Sequence, residues 1–278
     1  MHSLLTPNRR LHSMTKPRQR LAVDAALSPG AIITLEDNAA HYLVHVLRAK
    51  AGEAVALFNR TDGQWLGEIM EVKKKAVIVQ LQAQTKAPEH GLDFWVAFAP
   101  IKGGRLETII EKATELGASQ LQPVLTSRSI VDRVNEQRAE SIAREAAEQC
   151  ERIDWPQIHS PQKFATWLGD FPADRILIYG DETGEGVPIM EALHRAAAKA
   201  PDAAVTRTSA IKWAILAGPE GGFTPDELAM LRHKKNAMAV SLGPRILRAD
   251  TAIITLAAIT LSAWGDWHLP PRFEGATA

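Results

Sequence analysis

The sequence has 278 residues, 46% hydrophobic and 23% charged, a composition that is typical of folded globular proteins and excludes wholesale disorder. Its 32 basic and 32 acidic side chains give a formal net charge of +0, so charge alone neither indicates nor excludes a nucleic-acid partner. The single cysteine, Cys150, excludes an internal disulfide and a cysteine-based zinc site, and it fits a cytoplasmic location. The longest apolar stretch, residues 252–264, is too short to span a membrane.

The first 20 residues contain five basic side chains and no acidic one. We interpret residues 1–17 as a flexible basic leader. A transit peptide and a basic arm that touches RNA are the alternatives.

Residues 18–83 alternate short apolar segments with turn signals, the spacing of a small β-rich domain. Strands are predicted at residues 31–35, 54–58, 65–70 and 77–81, with one helix at 41–47. His41 and His45 are four residues apart on that helix, but no third ligand accompanies them, so we expect surface histidines and no metal site. The polar stretch 84–91 is the predicted linker.

From Phe94 onward, strand patterns alternate with helical ones. Strands are predicted at 94–99, 121–125, 176–179, 213–217 and 237–242. Helical faces are formed by apolar residues between 106 and 116 and between 139 and 150, and Gly117 occupies the position of a helix C-terminus. Such alternation predicts a mostly parallel sheet covered on both faces, here an α/β domain at 92–270 followed by a tail at 271–278.

The first candidate site is the segment Gly-Pro-Glu-Gly-Gly-Phe at residues 218–223, which follows a predicted strand. It continues into Thr224, Pro225 and Glu227, the pattern of a helix N-terminus. Ligands of open parallel sheets bind at the carboxyl ends of strands, where glycine lets the backbone approach them closely. The spacing is equally compatible with a tight turn whose glycines serve conformation only.

The second candidate site is the segment Leu-Gly-Pro-Arg-Ile-Leu-Arg-Ala-Asp-Thr at residues 242–251, between the last strand and the last helix. Two arginines and an aspartate are costly to bury there unless they are paired or used. Asp250 fits two compatible interpretations, a functional carboxylate and the N-cap of the last helix. Two further segments, 102–105 and 127–129, are either turns or cations that face a polyanion.

Both candidate segments resemble the signature motifs of the RsmE family, SPOUT-class methyltransferases that modify uridine N3 in 16S ribosomal RNA. Other family features follow in the same order, namely Lys102-Gly103, residues 112–117, Pro123, Arg128-Ser129, Glu148-Gln149, Arg152 and Pro156. Residues 41–43, 46–48 and Gly52 are similar to the family's PUA-like RNA-binding domain. The resemblance covers about residues 18–266, and it departs from the family at Asp250, often Glu there, and at Glu151, usually a small residue.

The resemblance implies a PUA-like β-barrel at 18–83 and a SPOUT methyltransferase domain that ends in a C-terminal trefoil knot. It also implies an obligate homodimer that acts on 16S rRNA within the small ribosomal subunit and needs no metal. S-adenosylmethionine is expected to bind the knot loops at the subunit interface. The matching positions are Gly218, Glu220, Gly221, Gly222, Leu242, Gly243, Arg245, Ile246 and Leu247.

The chemistry of the implied reaction suggests roles for two residues. Uridine N3 attacks a methyl group well only after its proton leaves, so the enzyme must stabilise the uridine anion and hold it in line with the methyl donor. We expect Arg248 to stabilise the uridine anion, and Asp250 either to orient that arginine or to accept the proton. The residues expected to hold RNA electrostatically are Arg20, Arg48, Lys102, Arg105 and Arg128.

Two alternatives remain open at this point. Instead of a 16S rRNA methyltransferase, the protein could be a SPOUT methyltransferase with another RNA target. It could also be a catalytically silent RNA-binding protein of ribosome assembly. A generic nucleotide-binding protein is disfavoured because no dinucleotide fingerprint is present.

Overall fold

The computed structural model describes residue 17 and residues 19–89, 91–198 and 212–269. The chain divides into an N-terminal unit, Met1–Glu89 with Arg152–Asp154, and a C-terminal unit, His90–Glu151 with Trp155–Ala278. Residues 1–16 of the predicted leader, residue 270 and the predicted tail at 271–278 lie outside the described residues.

The N-terminal unit is built on a five-stranded sheet with the strand order β1-β3-β4-β5-β2. Its strands are β1 Arg20–Ala22, β2 Ile32–Leu35, β3 Ala54–Asn59, β4 Gly63–Val72 and β5 Val77–Lys86. Strand β1 is parallel to β3, and the other pairs are antiparallel. Alternate residues such as Leu57, Ile69 and Val79 form its buried core, as the two-residue period of strands requires.

Two details of this unit differ from the sequence-based expectation. Strand β5 continues to Lys86, and Gln84 and Lys86 pair with Trp65 and Gln64, so the first residues of the predicted linker belong to the sheet. Polarity did not reveal this because a ladder is formed by backbone groups. The predicted helix at 41–47 is instead α1, Asp37–His41, followed by a π-helical turn, Tyr42–Val46.

The C-terminal unit contains an eight-stranded sheet with the order β11-β13-β10-β12-β6-β7-β8, in which β9 also pairs with β7. All its pairs are parallel. The strands are β6 Phe94–Phe98, β7 Gln120–Leu125, β8 Gln157–Ile158, β9 Gln162–Lys163, β10 Arg175–Gly180, β11 Val187–Pro188, β12 Lys212–Ala217 and β13 Ala237–Ser241. The strands predicted in this half therefore exist, each within two residues of its expected bounds.

Helices cover both faces of this parallel sheet. They are α2 Gly104–Glu115, α3 Glu136–Gln149, α4 Phe164–Asp170, α5 Ile189–Ala198, α6 Pro225–His233 and α7 Ala249–Trp264. Helices α4 and α6 pack with Leu177 and Tyr179 on one face. On the other face, Leu256 of α7 lies next to Gly180. Central strands such as β12 are consequently apolar along almost their whole length.

None of the helices in the described part of the chain is long and apolar enough for a membrane span. Within the same residues, no group of three or more His, Cys, Asp or Glu side chains is arranged to hold a metal ion.

Candidate functional site

The loops that follow β6, β7, β10, β12 and β13 all begin at one edge of the parallel sheet. The strand registers bring these ends level, since Ala217 pairs with Phe98, Leu216 with Tyr179, and Gly180 with Val240. This edge carries the carboxyl ends of the strands, where ligands of such sheets bind. Both segments singled out from the sequence, 218–223 and 242–251, begin here.

Helix α6 begins with the predicted arrangement. The Thr224 hydroxyl accepts a hydrogen bond from the Glu227 amide at 3.3 Å, and Glu227 Oε2 accepts one from the Thr224 amide at 2.8 Å. Pro225 is the first helical residue. This capping box fixes the point where residues 218–223, hereafter the glycine loop, enter the helix.

Two of the three glycines of the glycine loop, Gly218 and Gly222, have a neighbour that restricts a side chain. A Cβ on Gly218 would lie 3.0 Å from the Phe223 ring, whereas one on Gly221 would make ordinary contact with the Arg128 side chain at 3.4 Å. Gly222 has φ +67°, and its Cβ would overlap Oε1 of Glu182. The structure thus gives a local reason for Gly218 and Gly222, but not for Gly221. Ligand binding by this loop is supported by its place at the sheet edge rather than by its composition.

Charged side chains from neighbouring loops reach the glycine loop. Arg128 Nη1 donates to the carbonyl oxygens of Gly221 at 2.6 Å and Phe223 at 3.3 Å. Arg105 Nη1 lies 3.8 Å from Glu220 Oε1, an exposed ion pair. Two of the basic residues expected to face RNA are therefore also attached to the expected cofactor loop.

The other expected RNA contacts differ in their surroundings. Arg48, which has φ 51°, is exposed, and so is Lys102. Arg20 lies 4.7 Å from the centre of the Phe58 ring, and its Nε donates to Gln64 Oε1 at 2.7 Å. Arg20 thus has an internal role in the N-terminal unit.

Residues 242–248 form an exposed loop after β13. Gly243, with φ +100°, donates its amide to Ser241 Oγ at 3.3 Å. Arg245 and Arg248 are exposed, Leu242 and Leu247 are half-buried, and Ile246 is 96% exposed. Among the described residues, none accepts a hydrogen bond from the backbone amides of residues 245–247. The loop thus presents both donors and apolar surface.

The interpretation of Asp250 as a helix cap is wrong. Helix α7 begins one residue earlier, at Ala249, and Arg248 occupies the N-cap position without a side-chain cap. Asp250 is therefore inside the first turn, and its buried Oδ1 has no hydrogen-bond partner in the described part of the protein. Within those same residues no ion pair joins Arg248 to Asp250. An unpaired buried carboxylate oxygen is costly, which marks it as a group available to a ligand.

Sequence reasoning missed the loop after β10, residues 181–186. Asp181 Oδ1 accepts hydrogen bonds from the Thr183 amide at 2.9 Å and hydroxyl at 2.7 Å, and its Oδ2 lies 3.6 Å from Arg232. Arg232 also pairs with Glu185 at 2.6 Å. Burial raises the pKa of the adjacent Tyr179, and the charge of Asp181 raises it further. The available signal was a polar run with two glycines directly after a predicted strand.

Comparisons with known proteins agree with this architecture. Residues 88–261 match the family model described as an RNA methyltransferase domain, and residues 35–82 match an RNA methyltransferase PUA domain. The ribosomal RNA small subunit methyltransferase E of Rickettsia conorii is 33% identical over 240 residues, 86% of this chain and 93% of that protein. The protein of the same name from Bacillus subtilis is 30% identical, over 79% of this chain and 86% of its own.

Solved structures give the same result for the fold. A candidate methyltransferase from Legionella pneumophila, in complex with the bound cofactor SAM, has a TM-score of 0.76 and 26% identity, covering 90% of this chain and 98% of that one. The ribosomal RNA small subunit methyltransferase E of Neisseria gonorrhoeae has a TM-score of 0.75 and 23% identity, covering 90% and 99%.

The parallel sheet with its loops at one edge, preceded by a small β unit, is thus the architecture of an RNA methyltransferase with a PUA domain. More narrowly, the chain belongs to the ribosomal RNA small subunit methyltransferase E family, because the identity of 33% extends over 86% of its length. The predicted class, a PUA-like domain followed by a SPOUT-type α/β domain, is confirmed. The trefoil knot stays a prediction.

Proposed function

We propose that this protein transfers a methyl group from S-adenosylmethionine to N3 of a uridine in 16S rRNA of the small ribosomal subunit. The observation that carries the proposal is the 33% identity over 86% of the chain to a protein named for small-subunit rRNA methylation. The SAM-bound Legionella neighbour supports the cofactor. The choice of uridine N3 rests on the resemblance of residues 218–227 and 242–252 to the RsmE motifs.

The sheet edge suits S-adenosylmethionine on chemical grounds. An adenosine with an amino-acid tail needs amide donors for its ring nitrogens and acceptors for its hydroxyl and ammonium groups. The amides of 245–247 supply such donors, and the exposed carboxylates of Glu220 and Glu182 supply such acceptors. The residues proposed to hold the cofactor are Gly218, Glu220, Gly221, Gly222, Leu242, Gly243, Arg245, Ile246 and Leu247. When bound, S-adenosylmethionine supplies an electrophilic methyl group on a positively charged sulfur.

Arg248 and Asp250 are proposed to act on the uridine. Since no ion pair occupies either side chain in the described structure, we assign a separate task to each of them. Asp250 accepts the N3 proton at its unpartnered Oδ1, and the exposed Arg248 guanidinium stabilises the negative charge that spreads to the base oxygens. The flipping of a stacked target base into the site would precede these events.

The proposed RNA contacts are Arg20 and Arg48 in the N-terminal unit and Lys102, Arg105 and Arg128 in the C-terminal unit. Arg20 also bonds Gln64 inside its own unit, so it is the less suitable position for a test by substitution. Arg48→Glu and Lys102→Glu should each weaken binding to small subunits and reduce the salt dependence of that binding, because each removes a phosphate contact. Filter binding at two salt concentrations measures both effects. An unchanged affinity would place the RNA on another face.

We further propose that the protein acts in the cytoplasm as a homodimer, in which a second copy covers the exposed Ile246. Light scattering after size-exclusion chromatography should give the mass of two chains for the natural protein. Ile246→Asp should give the mass of one chain. A single-chain mass for the natural protein would contradict the dimer.

The decisive experiment for the function uses labelled S-adenosylmethionine and small ribosomal subunits that lack the modification. Nucleoside mass spectrometry should then find the label in N3-methyluridine of 16S rRNA. Label in another nucleoside or RNA would indicate a different methyltransferase. A failure to bind S-adenosylmethionine, measured by calorimetry, would indicate a silent assembly protein.

A further inference from the structure

Both the guanidinium group and the aliphatic part of the Arg128 side chain contact the glycine loop. Nη1 donates to the carbonyl oxygens of Gly221 and Phe223 at 2.6 and 3.3 Å. Its Cβ and Cδ atoms pack over Gly221, each 3.4 Å from where a Cβ of that residue would be. An arginine whose only role is to bind an RNA phosphate would not need these contacts with the protein itself.

The segment that carries Arg128 is itself fixed. The Thr126 amide donates to Ser129 Oγ at 3.0 Å, and the Ser129 amide donates to the Thr126 carbonyl at 3.1 Å. The Ser127 amide donates to Glu227 Oε1 at 2.7 Å. Arg128 therefore projects from a firm turn that is attached separately to helix α6.

Arg128 provides the hydrogen bond to the carbonyl oxygen of two peptide groups in the glycine loop whose amides are already bonded. The carbonyl of the peptide between Gly221 and Gly222 accepts from Arg128, and its amide donates to the Pro219 carbonyl at 2.9 Å. The carbonyl between Phe223 and Thr224 also accepts from Arg128, and its amide donates to Glu227 at 2.8 Å. Because a peptide group is planar, hydrogen bonds at both its oxygen and its nitrogen restrain the rotation of the whole plane. Gly222 lies between these two restrained peptide groups, which therefore maintain its φ of +67°.

We propose that Arg128 is a positioning residue, which holds the glycine loop in the conformation that binds S-adenosylmethionine. The proposal rests on the proposed function for the identity of the ligand, but the fixation of the loop is a property of the protein alone. It gives Arg128 a role besides the RNA contact expected from its charge. The guanidinium is suited to it because its planar fork reaches two carbonyl oxygens, whereas a lysine ammonium is a point donor on a flexible chain.

Calorimetry and amide exchange on the full-length protein test this role. Arg128→Ala should weaken S-adenosylmethionine binding at least tenfold and raise its KM, while the affinity for small subunits without cofactor falls by a clearly smaller factor, that of one lost phosphate contact. The amides of Gly222 and Thr224 should exchange at least tenfold faster in the free variant. Arg128→Lys should recover part of the cofactor affinity. Arg133→Ala, which removes another exposed arginine of the same connection, should leave both affinities unchanged.

The outcomes separate this proposal from the proposed function. A natural protein that binds no S-adenosylmethionine refutes the function, but the exchange rates of Gly222 and Thr224 in the free protein still decide whether Arg128 fixes the loop. Unchanged exchange and cofactor affinity, with a loss of affinity for subunits, would make Arg128 an RNA contact only. An equal loss of both affinities, or a loss of cofactor affinity in Arg133→Ala as well, would also overturn the proposal.

Discussion

The Glu227 carboxylate joins two segments that are 100 residues apart, because its Oε1 accepts a 2.7 Å hydrogen bond from the backbone amide of Ser127. Its Oε2 accepts from the Thr224 amide at 2.8 Å, so both oxygens are used. The residue is only 5% exposed. One buried side chain thus fixes the start of helix α6 and the turn that carries Arg128.

Glu227→Gln should lower the free energy of unfolding of the C-terminal unit by about 1–3 kcal/mol, since one backbone amide loses its acceptor and faces an amide nitrogen instead. Urea unfolding measures this loss. Asp226→Asn is the matched control, because Asp226 is in the same helical turn but is exposed. It should cost less than about 1 kcal/mol, the range for a charge near a helix N-terminus. Equal losses in the two variants would show that charge, and not the two hydrogen bonds, matters.

Gly222→Ala should destabilise the C-terminal unit by about 1–2 kcal/mol, the cost of a left-handed backbone for a residue with a Cβ. The overlap with Glu182 adds to this cost, so Gly222→Ala with Glu182→Ala should recover only the added part. Gly221→Ala is the control, because its Cβ would make ordinary contact at 3.4 Å and its φ is not positive. Thermal unfolding ranks the three variants. A full recovery in the double variant would contradict the backbone explanation.

Asp250→Asn should reduce methyl transfer in a single turnover at least tenfold, because an amide cannot accept the N3 proton. Arg248→Ala should cause a similar loss by removing the charge that faces the base oxygens. Calorimetry should show that both variants still bind S-adenosylmethionine. Asp250→Glu, which keeps the carboxylate, should retain most of the activity. Unchanged turnover in either of the first two variants would reject its assignment.

His159 should make the stability of the C-terminal unit depend on pH. Burial lowers the pKa of His159 in the folded protein below its usual value, and Nε2 lies 3.0 Å from Gln120 Oε1. The unfolded chain, with a histidine pKa of about 6.5, therefore binds the proton more readily. The contribution of His159 is complete above that pH and is lost as the pH falls below it, by at most about 1.4 kcal/mol per pH unit.

The comparison with His159→Gln, which keeps a group able to bond Gln120, isolates this effect from the other titrations. Urea unfolding is measured from about pH 7.5 to about pH 5.5, the range in which histidine titrates. Over this range the free energy of unfolding should fall more steeply for the natural protein than for the variant. Parallel curves would mean that His159 does not contribute.

The strands and the start of helix α6 were predictable because their signals are local. Apolar runs gave β6, β7, β10, β12 and β13, and Thr224 with Glu227 gave the capping box. The two-residue strands β8, β9 and β11 are too short to leave a periodic pattern. The same holds for the π-helical turn Tyr42–Val46, whose sequence does not differ from that of an ordinary helix.

The candidate site was predictable as a set of segments but not as a set of contacts. Arg128 was assigned to RNA from its charge, since a sequence does not show that the carbonyl oxygens of Gly221 and Phe223, over ninety residues away, are its acceptors. The cap role predicted for Asp250 places the start of α7 two residues too late, because the N-cap is Arg248. The Asp181–Arg232 contact likewise depends on packing between β10 and α6.

The position of β12 has a consequence for how the protein is made. Strand β12 lies between β6 and β10, yet it follows both of them in the chain. A nascent chain that has not reached Ala217 therefore holds two apolar strands, each with an unpaired edge that could bind another chain. Pairing over such long sequence separations is slow. Synthesis of this protein should thus include a late period of exposure to aggregation, which ends only when the strand that leads into the glycine loop leaves the ribosome.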